Sequence, residues 1–173
     1  MTMDWGTRKN IGRLIVAGSM VYCGLMMSPA GAQETEEPAP WIRLSGKNAG
    51  AVGSCSVDQA TDNKACYMVR CDAKNGLVFE IEDDMIEEMG LQTARFEIGK
   101  YTETIKLDKR SPSRRTIVLS KHPKFLAALT SGVDFATMFS IKAKKIDYST
   151  GFELTDAREQ IPPVAKECAA RKP

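Results

Sequence analysis

Arg8, Lys9 and Arg13 precede an apolar run from Leu14 to Met27, and the small-residue triplet Ala30-Gly31-Ala32 follows. A basic n-region, a short apolar h-region and an A-x-A end are the parts of a Sec-type secretory signal. The pattern predicts cleavage after Ala32 and a periplasmic or secreted chain that begins at Gln33. The consequence for folding is chemical. Export would carry Cys55, Cys66, Cys71 and Cys168 into an oxidising compartment, where an even number of thiols reads as a disulfide framework. The apolar run is about fourteen residues long, short of the ~20 that span a bilayer. Cys23 follows the bulky Tyr22, whereas a lipidated cysteine wants a small residue before it. The expectation is therefore a removed signal, neither a membrane anchor nor a lipoprotein, and no transmembrane segment in the mature chain.

Beyond residue 32 the chain has 141 residues, the size of one domain with a real core. These residues carry 21 basic and 21 acidic side chains, so the mature chain is neutral. A neutral domain offers no global electrostatic argument for nucleic acid.

Residues 33–40 (QETEEPAP) lack apolar periodicity and read as a flexible leader. One disulfide-bonded domain is then expected over 41–173. Trp41 to Leu44 reads as a short strand, and the Gly-, Ala- and Ser-rich stretch 46–56 as loop. Residues 65–71 and 77–82 read as a hairpin, with Asn75-Gly76 suited to a type I′ turn. Leu77, Phe79 and Ile81 share one face of its second strand. Residues 83–91 fit either one helical turn stopped by Gly90 or a polar edge strand. Residues 92–107 read as a second hairpin turning at Gly99-Lys100, and 110–115 (RSPSRR) as a polar loop. A strand over 116–120 precedes a helix that starts near Pro123 and stops at Gly132. Val133, Phe135, Thr137, Phe139 and Ile141 alternate as one face of the best-patterned strand in the chain. Residues 146–154 form another strand, with a bulge permitted at 149–151. Asp156, with Glu159 three residues on, can cap a closing helix that sets Ile161, Val164 and Cys168 on one face. Pro162 and Pro163 would delay its regular part to Pro163. About seven or eight short strands with one short internal helix and a C-terminal helix predict a mainly β fold: an antiparallel β-sandwich or open barrel.

Cys66 and Cys71 differ in strand parity, so they face opposite sides and are poor partners for each other. Cys71 shares a face with Tyr67 and Val69, and Cys168 the core side of its helix. This favours Cys71–Cys168 with Cys55–Cys66, against the alternative of Cys66–Cys168 with Cys55–Cys71. The spacing matches no C-x2-C zinc pattern, and no other motif calls for a metal or cofactor.

His122 is the only histidine, so any Ser–His or Cys–His chemistry needs it as base. Its place before a helix-starting proline reads instead as a solvent-exposed loop. The acidic run Glu80, Glu82, Asp83, Asp84, Glu87 and Glu88 lacks the D-x-D-x-D-G spacing of a calcium loop. Glu80 and Glu82 fall on the polar side of their strand and read as a solvated face. Lys109, Arg110, Arg114 and Arg115 gather on the expected loop and form a candidate patch for an anionic partner. On that reading the double variant Arg114→Glu, Arg115→Glu folds normally.

The chain opens its ordered part on Trp41 and runs through Cys66-Tyr67-Met68-Val69-Arg70-Cys71. It ends in Phe152-x-Leu154, Ala157, Ile161, Val164 and Cys168. Over 41–71 and 116–168 this resembles small secreted proteins of Gram-negative bacteria, the invasion-associated locus B group and the VasI-type accessory proteins of type VI secretion. The central cysteine pair of the first group is absent between Cys71 and Cys168, and so is the VasI-type lipobox. The resemblance implies an envelope compartment and a β-rich fold, and it carries over no catalytic residue. The expectation is a non-enzymatic periplasmic or envelope binding protein, linked to host association or envelope integrity. Its partner would be an envelope or host protein or an anionic envelope component. Two alternatives are an inhibitor of an envelope-degrading enzyme, of the lysozyme-inhibitor kind, and a hydrolase working with carboxylates alone.

Overall fold

Two antiparallel sheets face each other across an aromatic core. The computed structural model describes residues 40–58 and 62–171. The expected signal over 1–32 and the leader up to residue 39 lie outside the described residues. The larger sheet comprises β1 (Ile42–Arg43), β2 (Val52–Asp58), β3 (Asn63–Asp72), β4 (Gly76–Asp83), β7 (Asp108–Ser111) and β8 (Arg114–Val118), in the order β1-β2-β3-β4-β8-β7. The smaller comprises β5 (Thr93–Ile98), β6 (Tyr101–Lys106), β9 (Phe135–Lys142) and β10 (Lys145–Glu153), in the order β10-β9-β5-β6. The helices are α1 (Ile86–Met89), α2 (Pro123–Leu129) and α3 (Ala157–Ala170). The fold is mainly β, a sandwich of two antiparallel sheets.

Alternation places Tyr67, Val69, Phe79, Ile81 and Ile117 on the inner face of the larger sheet. Ala94, Phe96, Ala136, Met138 and Phe152 answer them from the smaller. The Phe79 ring meets Phe96 and Phe125 edge-on, with centroids 6.0 and 5.2 Å away, and Tyr67 stacks on Phe152 at 4.3 Å. Such pairs add roughly 0.5–1.5 kcal/mol each beyond area burial. Ile161 and Val164 of α3 complete the core. Trp41 is fully buried; its indole Nε1 donates to the Glu153 carbonyl at 2.6 Å and its backbone N to that of Thr155 at 2.9 Å. Trp41 is thus fastened to the β10–α3 junction.

Cys55 and Cys66 are direct cross-strand partners on β2 and β3 and are bonded. Cys71 is bonded to Cys168, tying α3 to the end of β3 across 97 residues of sequence. Cys66 faces outward with Met68 and Ala51, whereas Tyr67 and Val69 face the core, in line with the opposite parities of Cys66 and Cys71.

Several local expectations need correcting. Residues 52–58 form β2 rather than loop; Gly53 sits where an added Cβ would fall 2.2 Å from the Tyr67 carbonyl oxygen, so a residue that reads as loop permits close pairing. Residues 110–115 are not a loop, because β7 and β8 occupy most of them. At the β3–β4 turn only Gly76 has positive φ (74°), and the Asp72 carboxylate accepts the N–H groups of Lys74 and Asn75. That is a three-residue loop closed by a left-handed glycine, not a type I′ turn. Residues 86–89 take the helical alternative, with Gly90 left-handed at φ 61°. The β10 irregularity falls between Ile146 and Tyr148, ahead of 149–151. Helix α3 begins at Ala157 and holds both prolines inside it, and Asp156 precedes it in left-handed conformation (φ 66°) without a side-chain cap.

Candidate functional site: the outer face of the smaller sheet

The structure disperses the basic patch. Arg114 and Arg115 are neighbours on β8 and so point to opposite sides of the larger sheet. Arg115 points inward and is buried; its Nε donates to the Leu91 carbonyl at 2.6 Å and its Nη1 to Ser111 and Arg114 at 2.9 Å and to Pro112 at 3.1 Å. Burial lowers its pKa from the ordinary arginine value. Arg114 points outward and donates to Glu80 and Glu82, each at 2.9 Å, and to the Asn48 amide oxygen at 3.1 Å. Arg110 pairs with Asp72 at 2.7 Å and lies 3.4 Å from Glu80. Lys109 is exposed, so of the four residues it alone keeps the character expected of the whole set.

The same geometry corrects the reading of the acidic run. Glu80 and Glu82 are buried, not solvated. Arg70, Arg110 and Arg114 surround Glu80, while Lys47, Asn48 and Arg114 bind Glu82. Burial pushes the Glu82 carboxyl up, but the hydrogen bonds from Lys47 and Asn48 and the Arg114 charge outweigh it and leave the pKa below the usual carboxylate value. Carboxylates so paired are acceptors only. The cluster clasps the 45–50 turn, β3, β4, β7 and β8 into one layer, and neither carboxylate is placed to deliver a proton.

His122 is half-buried rather than a free loop histidine. Its Nδ1 lies 3.0 Å from Glu103 Oε1, and the Tyr101 hydroxyl donates to the other carboxylate oxygen. That Tyr101 hydrogen bond, more than the His122 contact, holds the Glu103 carboxyl below its ordinary value. Ser120 is exposed and, among the described residues, makes no hydrogen bond to this pair. An open cleft of about 570 Å³ beside the Cys71–Cys168 bridge is lined by Asp72, Lys74, Asn75 and Arg171. Its carboxylate is already committed to Arg110 and to the turn amides.

The surface that stands out is one the sequence labels as a strand face without saying which way it looks. On β9 the buried residues are Ala136, Met138 and Ser140, so Phe135, Thr137, Phe139 and Ile141 look outward. Ile146 pairs across from Ile141 and extends the apolar row onto β10. Phe135 is 54% exposed and Ile146 51%. Phe135 lies over Gly151, where a Cβ would fall 2.0 Å from the ring. The Arg95 guanidinium sits 4.5 Å over the Phe139 ring and 3.1 Å from Glu97. The helices pack elsewhere, α3 on β2, β3 and β4 and α2 on β6. At the end of the hairpin, residues 142–149 are all exposed, and three of them are lysines: Lys142, Lys144 and Lys145. Tyr148 there is 40% exposed. Phe139 and Ile141 are half-buried between the exposed Phe135 and Ile146, and an outward apolar row of this kind can serve as an interaction site.

Alternation was the available signal for this row. What sequence reasoning lacked was the orientation, which Ala136 and Met138 decide by packing against the larger sheet. Comparison with known proteins adds one likeness. No protein-family model matches the chain, and no curated protein matches it. The solved structure of invasion associated protein B from Bartonella henselae aligns over 78% of this chain and 95% of that one, with a TM-score of 0.48 and 14% identity.

Proposed function

We propose that the chain is a non-enzymatic binding protein of the bacterial envelope, and that it binds through the outer face of β9 and β10. The observation that carries this reading is the outward apolar row of Phe135 and Ile146, both exposed, with the half-buried Phe139 and Ile141, on a sheet whose other face packs on the core through Ala94, Phe96, Ala136 and Met138. The sequence pattern of an export signal and the two disulfides support an oxidising, extracytoplasmic location. The paired state of Glu80 and Glu82 speaks against the carboxylate-hydrolase alternative, since neither is positioned as a proton donor. The test is a photo-crosslinking residue at position 146 in cells that export the protein, with position 57 as control; Val57 is equally exposed (50%) but sits on the other sheet. Adducts to an envelope component are expected from position 146 and not from 57. Equal capture at both positions, or none at 146, removes the reading.

A further inference from the structure

We infer that the polar cleft between the α1–β5 loop and the β6–β7 junction binds a phosphate monoester group, held by Arg115 with Lys106 and Lys109. The cleft has a volume of about 380 Å³ and is lined by these three cations, by Gly90 and Gln92, and by Glu87 of α1. It shares no residue with the β9–β10 face and does not depend on that reading. Arg115 is 5% exposed and makes no ion pair among the described residues. Its Nε and Nη1 are taken by the carbonyl oxygens of Leu91, Ser111, Pro112 and Arg114. Its Nη2 has no hydrogen-bond partner among the described residues, yet it is not enclosed. The enclosed side-chain atoms without a partner there are the Tyr67 hydroxyl, Arg70 Nε, Glu80 Oε2 and Arg95 Nε. The free donor of this arginine therefore meets solvent, and the solvent space that Arg115 lines is this cleft. Buried charges are ordinarily paired. The molecule follows that rule at Glu80 and Glu82, each matched by cations, but at Arg115 carbonyl dipoles answer the charge without a paired carboxylate. Burial lowers the Arg115 pKa, and the charge of Glu87 does not make up the difference, so an anion is what the site lacks.

Strand register adds a second cation. Lys109 on β7 is the direct partner of Arg115 on β8, so both side chains leave the same side of the larger sheet. Like charges set directly opposite each other cost stability, and a shared anion removes that cost. Lys106 is the last residue of β6 and comes from the smaller sheet, so the donors converge from both layers. The Leu107 N–H donates to the Gln92 carbonyl at 2.8 Å and ties the two lips of the cleft together. Three cations against the single carboxylate of Glu87 leave a net charge of +2. A phosphate monoester carries roughly −1.5 to −2 near pH 7. A planar carboxylate is gripped best by two parallel N–H groups of one guanidinium, and with Nε and Nη1 taken Arg115 cannot offer them. A tetrahedral group, whose oxygens point apart, takes one donor from each of Arg115, Lys106 and Lys109.

The experiment is an amide NMR titration of isotope-labelled protein, purified from exporting cells, with sodium phosphate. It is run at about pH 7.5, where the phosphate is mostly dianionic, and at constant ionic strength. Saturable shifts are expected at the Gly90, Gln92, Lys106 and Lys109 amides, and acetate should bind at least about tenfold more weakly. Lys106→Gln and Lys109→Gln should each weaken phosphate binding roughly threefold to fivefold, and Glu87→Gln should tighten it by a similar factor. Lys74→Gln, on the β3–β4 turn, should change nothing. All four positions are exposed, and matched unfolding curves check that each variant folds. A second arm uses phosphatidylcholine vesicles with and without phosphatidic acid, whose headgroup is a phosphate monoester. Retention on phosphatidic acid that Lys109→Gln reduces assigns the group to a lipid, and phosphate binding without retention assigns it to a soluble ligand; both results sustain the site. Shifts that do not saturate, shifts spread over remote lysines, equal affinity for acetate, or a Glu87→Gln variant that binds no more tightly overturn it.

Discussion

Four carbonyl oxygens converge on the Arg115 guanidinium, from Leu91, Ser111, Pro112 and Arg114. Nothing in RSPSRR distinguishes this arginine from its neighbours, because parity on a strand that does not read as one decides its fate. The expectation that Arg114→Glu with Arg115→Glu folds normally therefore does not survive the structure. Arg115→Glu would bury a carboxylate among carbonyls, and a loss of about 3 kcal/mol or more is expected. Arg114→Glu would set a third carboxylate beside Glu80 and Glu82 and should also destabilise. Lys109→Glu, exposed, should stay within about ±0.5 kcal/mol. Urea midpoints of the three single variants check this order, and an unchanged midpoint for Arg115→Glu would contradict it. The acidic residues set the pH response. Asp72, Glu82 and Glu103 have pKa values lowered by folding. Their stabilisation is complete above the unfolded carboxylate range near pH 4 and is lost as pH falls through the folded values. Asp83 is raised by burial and works the other way, since it favours the folded state when protonated. Glu82→Gln should flatten the acid limb of a stability–pH curve, and an unchanged limb would mean that Glu82 does not carry it.

At the scale of elements, strong local signals were legible and weak ones were not. The run 65–82 declared its hairpin through alternation and a glycine turn, and Pro123 marked the start of α2 where the structure has it. β2 was hidden because Gly53, Ser54 and Ser56 have little strand preference of their own; pairing with β3 and the Cys55–Cys66 bond make it a strand. The two bridges should differ in weight. Chain-entropy reasoning gives on the order of 4–5 kcal/mol for a loop of 97 residues and about 3 for one of 11. Cys168→Ser should therefore lower the urea midpoint more than Cys55→Ser, and the reverse order would show that loop length does not govern here. The β9–β10 turn offers a gain: Ala143→Asn with Lys144→Gly should stabilise by about 1 kcal/mol, by relieving two left-handed residues.

At the scale of the molecule, the two sheets treat their outer faces differently. The larger sheet covers its outer face with an ionic cluster and the 45–50 turn, bringing Lys47 and Asn48 onto Glu82. The smaller sheet leaves Phe135 and Ile146 exposed and Phe139 and Ile141 half-exposed. The alternation over 133–141 was plain in the sequence, but alternation names two faces and not the one that is buried. A pattern that ordinarily marks a core face lies outside here, because the short Ala136 and flexible Met138 fit against Phe96 and the larger sheet. Hydrogen exchange, with and without the envelope membrane fraction, tests most directly whether this face is where the protein binds. The account predicts slower exchange over 139–149 and no change over β2. Unaltered exchange over 139–149, or protection confined to the larger sheet, would contradict it.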